Sequence, residues 1–253
     1  MKNAVRVARL DLTLLWRNKT AMFTVVGLPV MFAGLLLPAG DDAIVQGAAL
    51  PGLFLLFAVY AHLVPLFTAR REDHSLKRLR GTTLSDAEIL GGSVLAAAGM
   101  YAVQAAALLV VLGTALGGGL PADPLLVLAG MAGGVAVFAV LAFVVSGLSP
   151  TAESTQLTVL PLLFACMFGV MFPLDDMPAA VQQAAHWIPL TPVNEIIQTG
   201  YLGRDHTSAG SHPEVGFVEG WRVCARSFAV LALWAVAGRT LAARWFRWEP
   251  RHA

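Results

Sequence analysis

The sequence predicts an all-α polytopic membrane protein with six transmembrane helices. The chain has 253 residues, of which 57% are hydrophobic and 13% are charged, and its mean hydropathy is +0.69. This composition leaves too few polar residues for a water-exposed surface. Long apolar stretches recur along the chain, and roughly 20 apolar residues cross a bilayer as one helix. Five stretches lack Asp, Glu, Lys and Arg, namely 20–40, 43–69, 89–122, 124–152 and 154–174.

The same composition excludes several other classes of protein. An outer-membrane barrel would have alternating segments of about ten residues instead of long apolar runs. The net charge of +1 argues against a nucleic-acid partner, because such proteins carry a basic excess. The two cysteines, Cys166 and Cys224, lie in or beside predicted membrane helices without metal-ligand spacing, so we interpret them as packing residues. We therefore predict no metal site and no cofactor on this chain.

The predicted elements follow from the apolar stretches and the segments between them. A sixth membrane helix is predicted after Trp221, where Arg222 and Arg226 can extend toward the headgroups. The chain 1–253 is then a single transmembrane domain. In chain order we predict an amphipathic interfacial helix at 1–19, transmembrane helices at 20–40, 43–69, 89–117, 124–149, 155–173 and 221–242, a cytoplasmic segment at 70–88 and an outer segment at 174–220.

The basic residues predict the orientation of the chain in the membrane. Fourteen of the 17 Lys and Arg residues fall in three clusters, at 2–19, 70–80 and 239–251. Six membrane helices bring these clusters to one face, and the positive-inside rule makes that face cytoplasmic. Both termini of this multi-pass protein are therefore predicted to be cytoplasmic.

The first predicted helix is amphipathic. A basic stripe runs at helical spacing from Lys2 to Arg17, and apolar residues such as Ala8 and Leu15 occupy another face. Such a helix lies in the membrane interface, with its basic side toward anionic headgroups or toward a partner protein. The alternative is a plain anchor that only sets the topology.

The segment at 70–88 carries the clearest local signals outside the membrane helices. Residues Glu72–Arg80 are predicted to form a short charged helix with two leucines directed inward. Ser85 and Glu88 have the spacing of a capping box at the start of the third membrane helix. A charged helix held between two membrane helices can transmit force from a soluble partner, and the alternative is a solvated loop.

Prolines divide the outer segment into short pieces. Pro178 and Pro192 each suit the first turn of a helix. Both helices would be too short to cross the membrane. They can instead enter the outer leaflet and return, an arrangement that needs its bend to be buried in protein or to line a cavity. A surface loop is the alternative.

Several motifs taken together resemble the permease subunits of ABC-2 type exporters, including drug-resistance and antibiotic self-resistance exporters. The resemblance covers essentially the whole chain. It is carried by Trp16-Arg17-Asn18-Lys19, by Leu76 to Ser85, by Glu153 to Gln156, and by Phe172 to Pro178 followed by Ile188 to Thr191. The family's connector usually has a Gly-Thr pair just after its glutamate, where this chain has Asp73-His74-Ser75.

The resemblance implies an assembly in the bacterial cytoplasmic membrane. Two six-helix permeases, identical or similar, would pair and work with two separate ABC ATPase subunits. The segment 1–19 would be the connecting helix, 70–88 would contain the coupling helix, and 174–220 would form a re-entrant pair above the exit. The residues expected to couple to the ATPase are Glu72, Asp73, Lys77, Arg78 and Arg80.

The chain cannot hydrolyse ATP by itself. A phosphate-binding loop needs the pattern Gly-x-x-x-x-Gly-Lys-Ser/Thr. None of the three lysines in this chain follows a glycine. ATP and magnesium are therefore expected on the partner ATPase, and we identify no enzyme site on this chain.

The resemblance also implies a substrate cavity at the interface between the two permeases. Aromatic and methionine side chains on the second and fifth membrane helices suit a hydrophobic substrate, although such residues are also ordinary in cores and lipid-facing surfaces. An ionisable histidine in an apolar run is a functional candidate, with a structural hydrogen bond as the alternative. The candidates are Phe54, Phe57, Tyr60, His62, Phe164, Met167 and Met171.

We therefore expect the permease subunit of an ABC exporter for a hydrophobic or amphipathic drug, antibiotic or lipid-like compound. One alternative is a proton-coupled secondary transporter, which predicts buried carboxylates or inverted repeats. Another is a membrane resistance factor that transports nothing, whose function would survive loss of an ATPase partner.

Overall fold

The computed structural model describes residues 2–36, 43–81, 83–171, 177–208, 210–246 and 248. These ranges are helical apart from turns and one isolated bridge between Arg204 and Glu214. Two π-helical segments, π1 (Phe23–Gly27) and π2 (Leu56–Tyr60), continue the helices on either side of them. The α-helices are α1 (Lys2–Arg17), α2 (Lys19–Met22), α3 (Leu28–Leu36), α4 (Ala43–Gly47), α5 (Leu50–Leu55), α6 (Ala61–Glu72), α7 (Ser75–Arg80), α8 (Asp86–Thr114), α9 (Pro124–Leu148), α10 (Thr155–Thr158), α11 (Leu160–Met171), α12 (Ala179–Ala185), α13 (Leu190–Leu202), α14 (Phe217–Val223) and α15 (Ala225–Trp245).

The number of possible membrane spans follows from helix length and hydropathy. Among the described residues, four helices are long and apolar enough to cross a membrane: Ala43–Glu72, Asp86–Thr114, Pro124–Leu148 and Ala225–Trp245. A fifth is counted if α1 and the helix after it, which meet at 97°, form one bent span. The apolar helix Thr155–Phe168 is shorter. The described part of the chain thus has four or five apolar helices that could cross a membrane, and the six-span count stays a prediction.

The segment between the second and third membrane helices differs in part from its prediction. The expected helix Glu72–Arg80 is interrupted, because His74 has a φ of 55° in the left-handed region, where a right-handed helix cannot continue. The capping box is confirmed. Ser85 Oγ accepts a hydrogen bond from the Glu88 N–H at 3.2 Å, and Glu88 Oε2 accepts one from the Ser85 N–H at 3.1 Å.

The last long helix also begins later than the predicted residue 221. Phe217–Val223 forms a helix of its own, and the long helix is Ala225–Trp245. Cys224 lies between them and caps both. The two arginines of this region therefore fall on either side of the break.

Helix α1 packs along the beginning of α8. Its buried face carries Val7, Ala8 and Leu15, while Arg6 and Arg9 are exposed on the opposite side. The helix ends at Arg17, and the Asn18 side chain caps the next helix by accepting a hydrogen bond from the Ala21 N–H at 3.1 Å. The basic stripe thus faces away from the bundle.

Gly92 on α8 permits this packing, and its substitution is expected to displace α1. A Cβ at Gly92 would lie 2.6 Å from Val7 Cβ and 2.8 Å from the Ala4 carbonyl oxygen. Gly92→Ala should therefore destabilise the purified chain by about 1–3 kcal/mol in thermal unfolding, as overpacking does. Gly91→Ala is the matched control, because apart from its chain neighbours and the backbone of its own helix nothing lies within 4 Å of a Cβ placed there. Equal melting temperatures for the two variants would contradict this account of the α1–α8 contact.

The helix Ala43–Glu72 lies in the middle of the bundle and packs against α8, α9, α11 and α13. We call the end of the bundle that holds residues 70–88 and 149–154 the connector end. The opposite end, which holds residues 115–123 and 186–216, is the far end. Helices α8 and α9 run between these two ends in opposite directions.

Helix α13 closes the far end and is almost entirely buried against α9 and α15. A Cβ at Gly130 of α9 would lie 2.8 Å from Ile196 Cγ2, so this glycine allows the close approach. Glu195 is buried, with its Oε1 2.5 Å from His186 Nδ1 and its Oε2 accepting a 2.5 Å hydrogen bond from Ser227 Oγ. The predicted re-entrant entry at 172–176 lies outside the described residues.

Candidate functional site

Helix α7 presents a basic surface at the connector end. Leu76 is buried and Leu79 is half-buried, so these two side chains attach α7 to the bundle. Lys77 and Arg78 are exposed, as is Asp73 in the turn before the helix. The short helix therefore offers polar groups to the outside while its apolar side is fixed.

Arg70, near the end of α6, joins three helices. Its guanidinium forms an ion pair with Asp11 of α1 and donates a 2.8 Å hydrogen bond to Ser93 Oγ of α8. The Asp11 side chain is 2% exposed and that of Arg70 is 11% exposed. Buried charges need such partners because desolvation is costly. The pair fixes α1 against the segment that leads into α7.

Arg71 is fully buried and lies at the end of α9. Its guanidinium donates to the Ser146 carbonyl oxygen at 2.8 Å and also to the Ser149 carbonyl oxygen. The last carbonyl groups of a helix have no partner within the helix, and the helix dipole places negative charge there. Arg71 thus supplies both hydrogen bonds and a compensating charge to α9.

Glu72 binds the loop that follows α9. Its Oε2 accepts a hydrogen bond from the Ala152 N–H at 2.8 Å. Three consecutive residues of the second membrane helix therefore contact α1, α9 and the loop 149–154 in turn. We call Asp11, Arg70, Arg71 and Glu72 the connector junction.

Trp248 contacts Arg80 at the end of α7. The Arg80 guanidinium carbon is 4.9 Å from the centre of the Trp248 ring, and Arg80 Nε is 3.2 Å from Asp86 Oδ1. Trp248 packs edge-to-face on Phe246, which in turn packs on Phe67 of α6. Arg80 thus already has two contacts within the chain, with the Trp248 ring and with the Asp86 carboxylate.

A cavity of about 650 Å³ opens between α6, the helix formed by residues 19–36, and the pair α10 and α11. It brings together Phe57, His62, Phe164 and Met167 of the predicted substrate path. Ala152, the residue bound by Glu72, is also part of the cavity wall. A single hydrogen bond, from the Ala152 N–H to Glu72, therefore links the connector junction to the cavity wall.

Two predicted cavity residues lie elsewhere. Phe54 is buried in the core, and so is Tyr60, whose hydroxyl group donates a 3.5 Å hydrogen bond to the Val159 carbonyl oxygen. Tyr60 also packs edge-to-face against Phe138 of α9. The Met171 side chain lies outside the part of the chain that the structure describes.

Within the described ranges, no three His, Cys, Asp or Glu side chains come together as a possible metal site. The arrangement combines an exposed basic helix, a buried polar junction behind it and an apolar cavity next to that junction. It can pass a displacement of α7 to the wall of the cavity.

A protein-family model described as "ABC-2 family transporter protein" matches residues 38–244. The chain belongs to the ABC-2 transporter family. It is therefore a multi-pass membrane permease of an ABC transporter, a family that implies an ABC ATPase as partner. The matched region of this ABC-2 permease includes Arg70, Arg71 and Glu72 but begins after Asp11. A search of curated protein sequences found no match.

Sequence reasoning missed three members of the connector junction. The positive-inside rule already accounts for Arg70 and Arg71, and none of the sequence motifs includes Asp11. The sequence does contain an indication of the role of Asp11. It is the only acidic residue before Asp41, and it lies on the face of α1 that carries Ala8 and Leu15, not on the face with the basic stripe. A carboxylate on the buried face of a helix predicts a cationic partner.

Proposed function

We propose that the chain is the permease subunit of an ABC exporter in the bacterial cytoplasmic membrane. It would move a hydrophobic or amphipathic compound outward, driven by hydrolysis of magnesium-bound ATP on a separate ATPase subunit. The observation that carries this proposal is the hydrogen bond from the Ala152 N–H to Glu72, which links the segment before α7 to the wall of the cavity.

Helix α7 is suited to dock an ATPase. Its buried leucine holds it to the bundle, so that a force on the helix acts on the bundle. Lys77 and Arg78 are exposed next to each other and can pair with acidic groups of a partner. The three basic clusters of the chain support a cytoplasmic position for this end.

The connector junction offers a route for the motion. When ATP binding displaces α7, Arg71 carries the end of α9 with it and Glu72 carries the loop 149–154. Ala152 belongs to that loop, and Thr155 directly after it also lines the cavity. The mouth of the cavity would therefore change shape whenever α7 moves.

The second permease copy would cover the open side of the cavity. Phe164 lines the cavity and yet is 62% exposed. Val30, Met31 and Leu35 on α3 are exposed as well. A second copy of the chain or a similar permease would close the cavity on this face, where lipid is the alternative neighbour.

Reversing two charges on α7 tests the ATPase contact. We expect Lys77→Glu/Arg78→Glu to reduce co-purification with the ATPase and to lower transport-coupled ATP hydrolysis by about tenfold or more, since losing contacts worth 1.4 kcal/mol costs a factor of ten. The matched control is Arg239→Glu/Arg244→Glu, which makes the same change in net charge on exposed residues of α15. The control should stay within about twofold of the native activity.

The measurement is ATP hydrolysis and substrate uptake in proteoliposomes that contain the permease and the ATPase. If no ATPase associates with the chain under mild conditions, the proposal fails. Equal losses in the two double variants would show that charge alone, and not the α7 surface, controls the activity. Uptake driven by a proton gradient without ATP would favour a secondary transporter instead, with His62→Gln as the first variant to examine.

A further inference from the structure

We infer that the cavity binds an uncharged amphiphile, with its polar end at the connector end and its apolar end toward the middle of the membrane. This inference rests on the proposed function and narrows its substrate class. It depends on which side chains line the cavity and on the order in which they occur along three walls.

The cavity wall carries no permanent charge. Its described lining residues include no Asp, Glu, Lys or Arg, and His62 is the one histidine among them. An ion without a partner in an apolar site loses several kcal/mol of solvation that nothing repays. A charged head group would therefore find no counter-charge in this cavity.

The walls change from polar to apolar along the bundle. On the first wall, Asn18, Thr20 and Thr24 precede Val25, Leu28 and Phe32 in the cavity lining. On the wall formed by α10 and α11, Thr155 and Gln156 precede Leu160, Leu163, Phe164 and Met167. Both walls run away from the connector end, so their polar groups meet at the same mouth.

The third wall runs in the opposite direction and has one polar side chain, His62, with the apolar Pro65 beyond it toward the connector end. Phe57 comes first along the chain, and His62 lies closer to Arg70 and the connector end. The first two walls therefore place their polar groups at one mouth, and Phe57 of the third wall belongs to the apolar interior.

The polar groups at the mouth are neutral hydrogen-bonding groups. Thr20 and Gln156 are exposed there. The Thr24 hydroxyl group donates to the Thr20 carbonyl oxygen at 3.1 Å and keeps its acceptor capacity. Hydroxyl and amide groups of this kind suit a polyol, ester or amide head, which both donates and accepts hydrogen bonds.

The length of the apolar wall matches one leaflet of a membrane. From Gln156 to Met167 a helix rises about 16 Å at 1.5 Å per residue. Half of the hydrocarbon core of a bilayer is roughly 15 Å. An amphiphile that lies in the leaflet at the connector end therefore has the orientation that the cavity requires, and it need not turn over to enter.

Binding of three matched probes tests the charge preference. The chain, alone and with its ATPase, is reconstituted in nanodiscs without ATP, and radiolabelled probes with the same alkyl chain carry a glycerol, a sulfate or a trimethylammonium head. After subtraction of binding to empty nanodiscs, the glycerol probe should bind at least about tenfold more tightly than either charged probe, because a charge left without a partner loses more than the 1.4 kcal/mol that corresponds to a factor of ten. Equal or tighter binding of a charged probe to the native chain would overturn the inference.

Charges introduced at the mouth should redirect the preference. Gln156→Lys is expected to favour the sulfate probe and Gln156→Glu the trimethylammonium probe, each by about tenfold relative to the native chain. Gln183→Lys on α12 is the matched control, because Gln183 is exposed and is not among the lining residues of the cavity. An identical response of the Gln156 and Gln183 variants would contradict binding in this cavity.

Photo-crosslinking tests the orientation. A diazirine at the end of the alkyl chain should label peptides that contain Leu163 to Met167, and a diazirine beside the head should label Thr20 to Thr24. The reverse pattern would overturn the proposed orientation. These measurements need no ATPase activity, so a chain that binds the neutral probe but associates with no ATPase would refute the exporter proposal while leaving the chemistry of the cavity in place.

Discussion

Reversing the charge of Arg70 (Arg70→Asp) is expected to destabilise the chain by about 3–5 kcal/mol and to abolish ATP-driven transport, because breaking a buried ion pair leaves an uncompensated charge. In this variant Asp11, which is buried on α1, would face a second carboxylate instead of a guanidinium. Ser93 would also lose the hydrogen bond that Arg70 donates to it. The contact between α1, α6 and α8 should therefore open first during unfolding.

The exchange of both charges provides the decisive comparison. Asp11→Arg alone should be as harmful as Arg70→Asp, whereas Asp11→Arg/Arg70→Asp should recover most of the stability and of the transport. The difference between the double variant and the sum of the single variants gives the interaction energy of the pair. Thermal unfolding of the purified chain and uptake in proteoliposomes are the two measurements.

An exposed ion pair serves as the control for this exchange. Arg222 and Glu219 lie 3.5 Å apart with side chains that are 77% and 49% exposed. Reversing either charge there should change the stability by less than about 1 kcal/mol, since exposed pairs contribute little. If the Arg70 variants behave like the Arg222 variants, the Asp11–Arg70 pair does not hold α1 to the bundle.

The features that the sequence predicts well are those that depend on neighbours along the chain. The capping box of Ser85 and Glu88 needs only a three-residue spacing, and the apolar runs need only local composition. The pair Asp11–Arg70 joins residues that are 59 positions apart. A basic residue near the end of a membrane helix already has a sufficient explanation in the positive-inside rule, so its buried role stays hidden.

The division of the predicted cavity residues has a geometric reason. Phe54, Phe57 and Tyr60 share a face in an ideal α-helix, because residues three or four positions apart are neighbours. Residues Leu56–Tyr60 form a π-helical segment instead, in which hydrogen bonds join positions five apart and the faces after it are rotated. Phe57 thus shares the cavity with His62, five positions later, and not with Phe54 or Tyr60.

Replacing Arg71 is the second change for which we expect a large effect. Arg71→Ala removes the donors to the Ser146 and Ser149 carbonyl oxygens in a side chain that is 1% exposed. Each hydrogen bond from a charged group is worth about 1.5–3 kcal/mol, so the loss of the two should cost roughly 3–6 kcal/mol of stability. The stability of Arg71→Lys should lie between that of Arg71→Ala and that of the native chain. An ammonium group keeps the charge but lacks the planar fork that reaches both carbonyl oxygens.

A pair of variants separates the stability of α9 from the contact with the ATPase. Arg78 lies on the exposed side of α7. The free energy of unfolding of Arg78→Ala should therefore be within about 0.5 kcal/mol of the native value, while this variant should associate less with the ATPase. Arg71→Ala should unfold at a lower temperature than the native chain. Arg71→Lys should still associate with the ATPase, but substrate should stimulate ATP hydrolysis by this complex less, because the end of α9 no longer follows α7. If Arg71→Ala is as stable as the native chain, water can replace Arg71 at the end of α9, and the motion of α7 must reach the cavity through Glu72 alone.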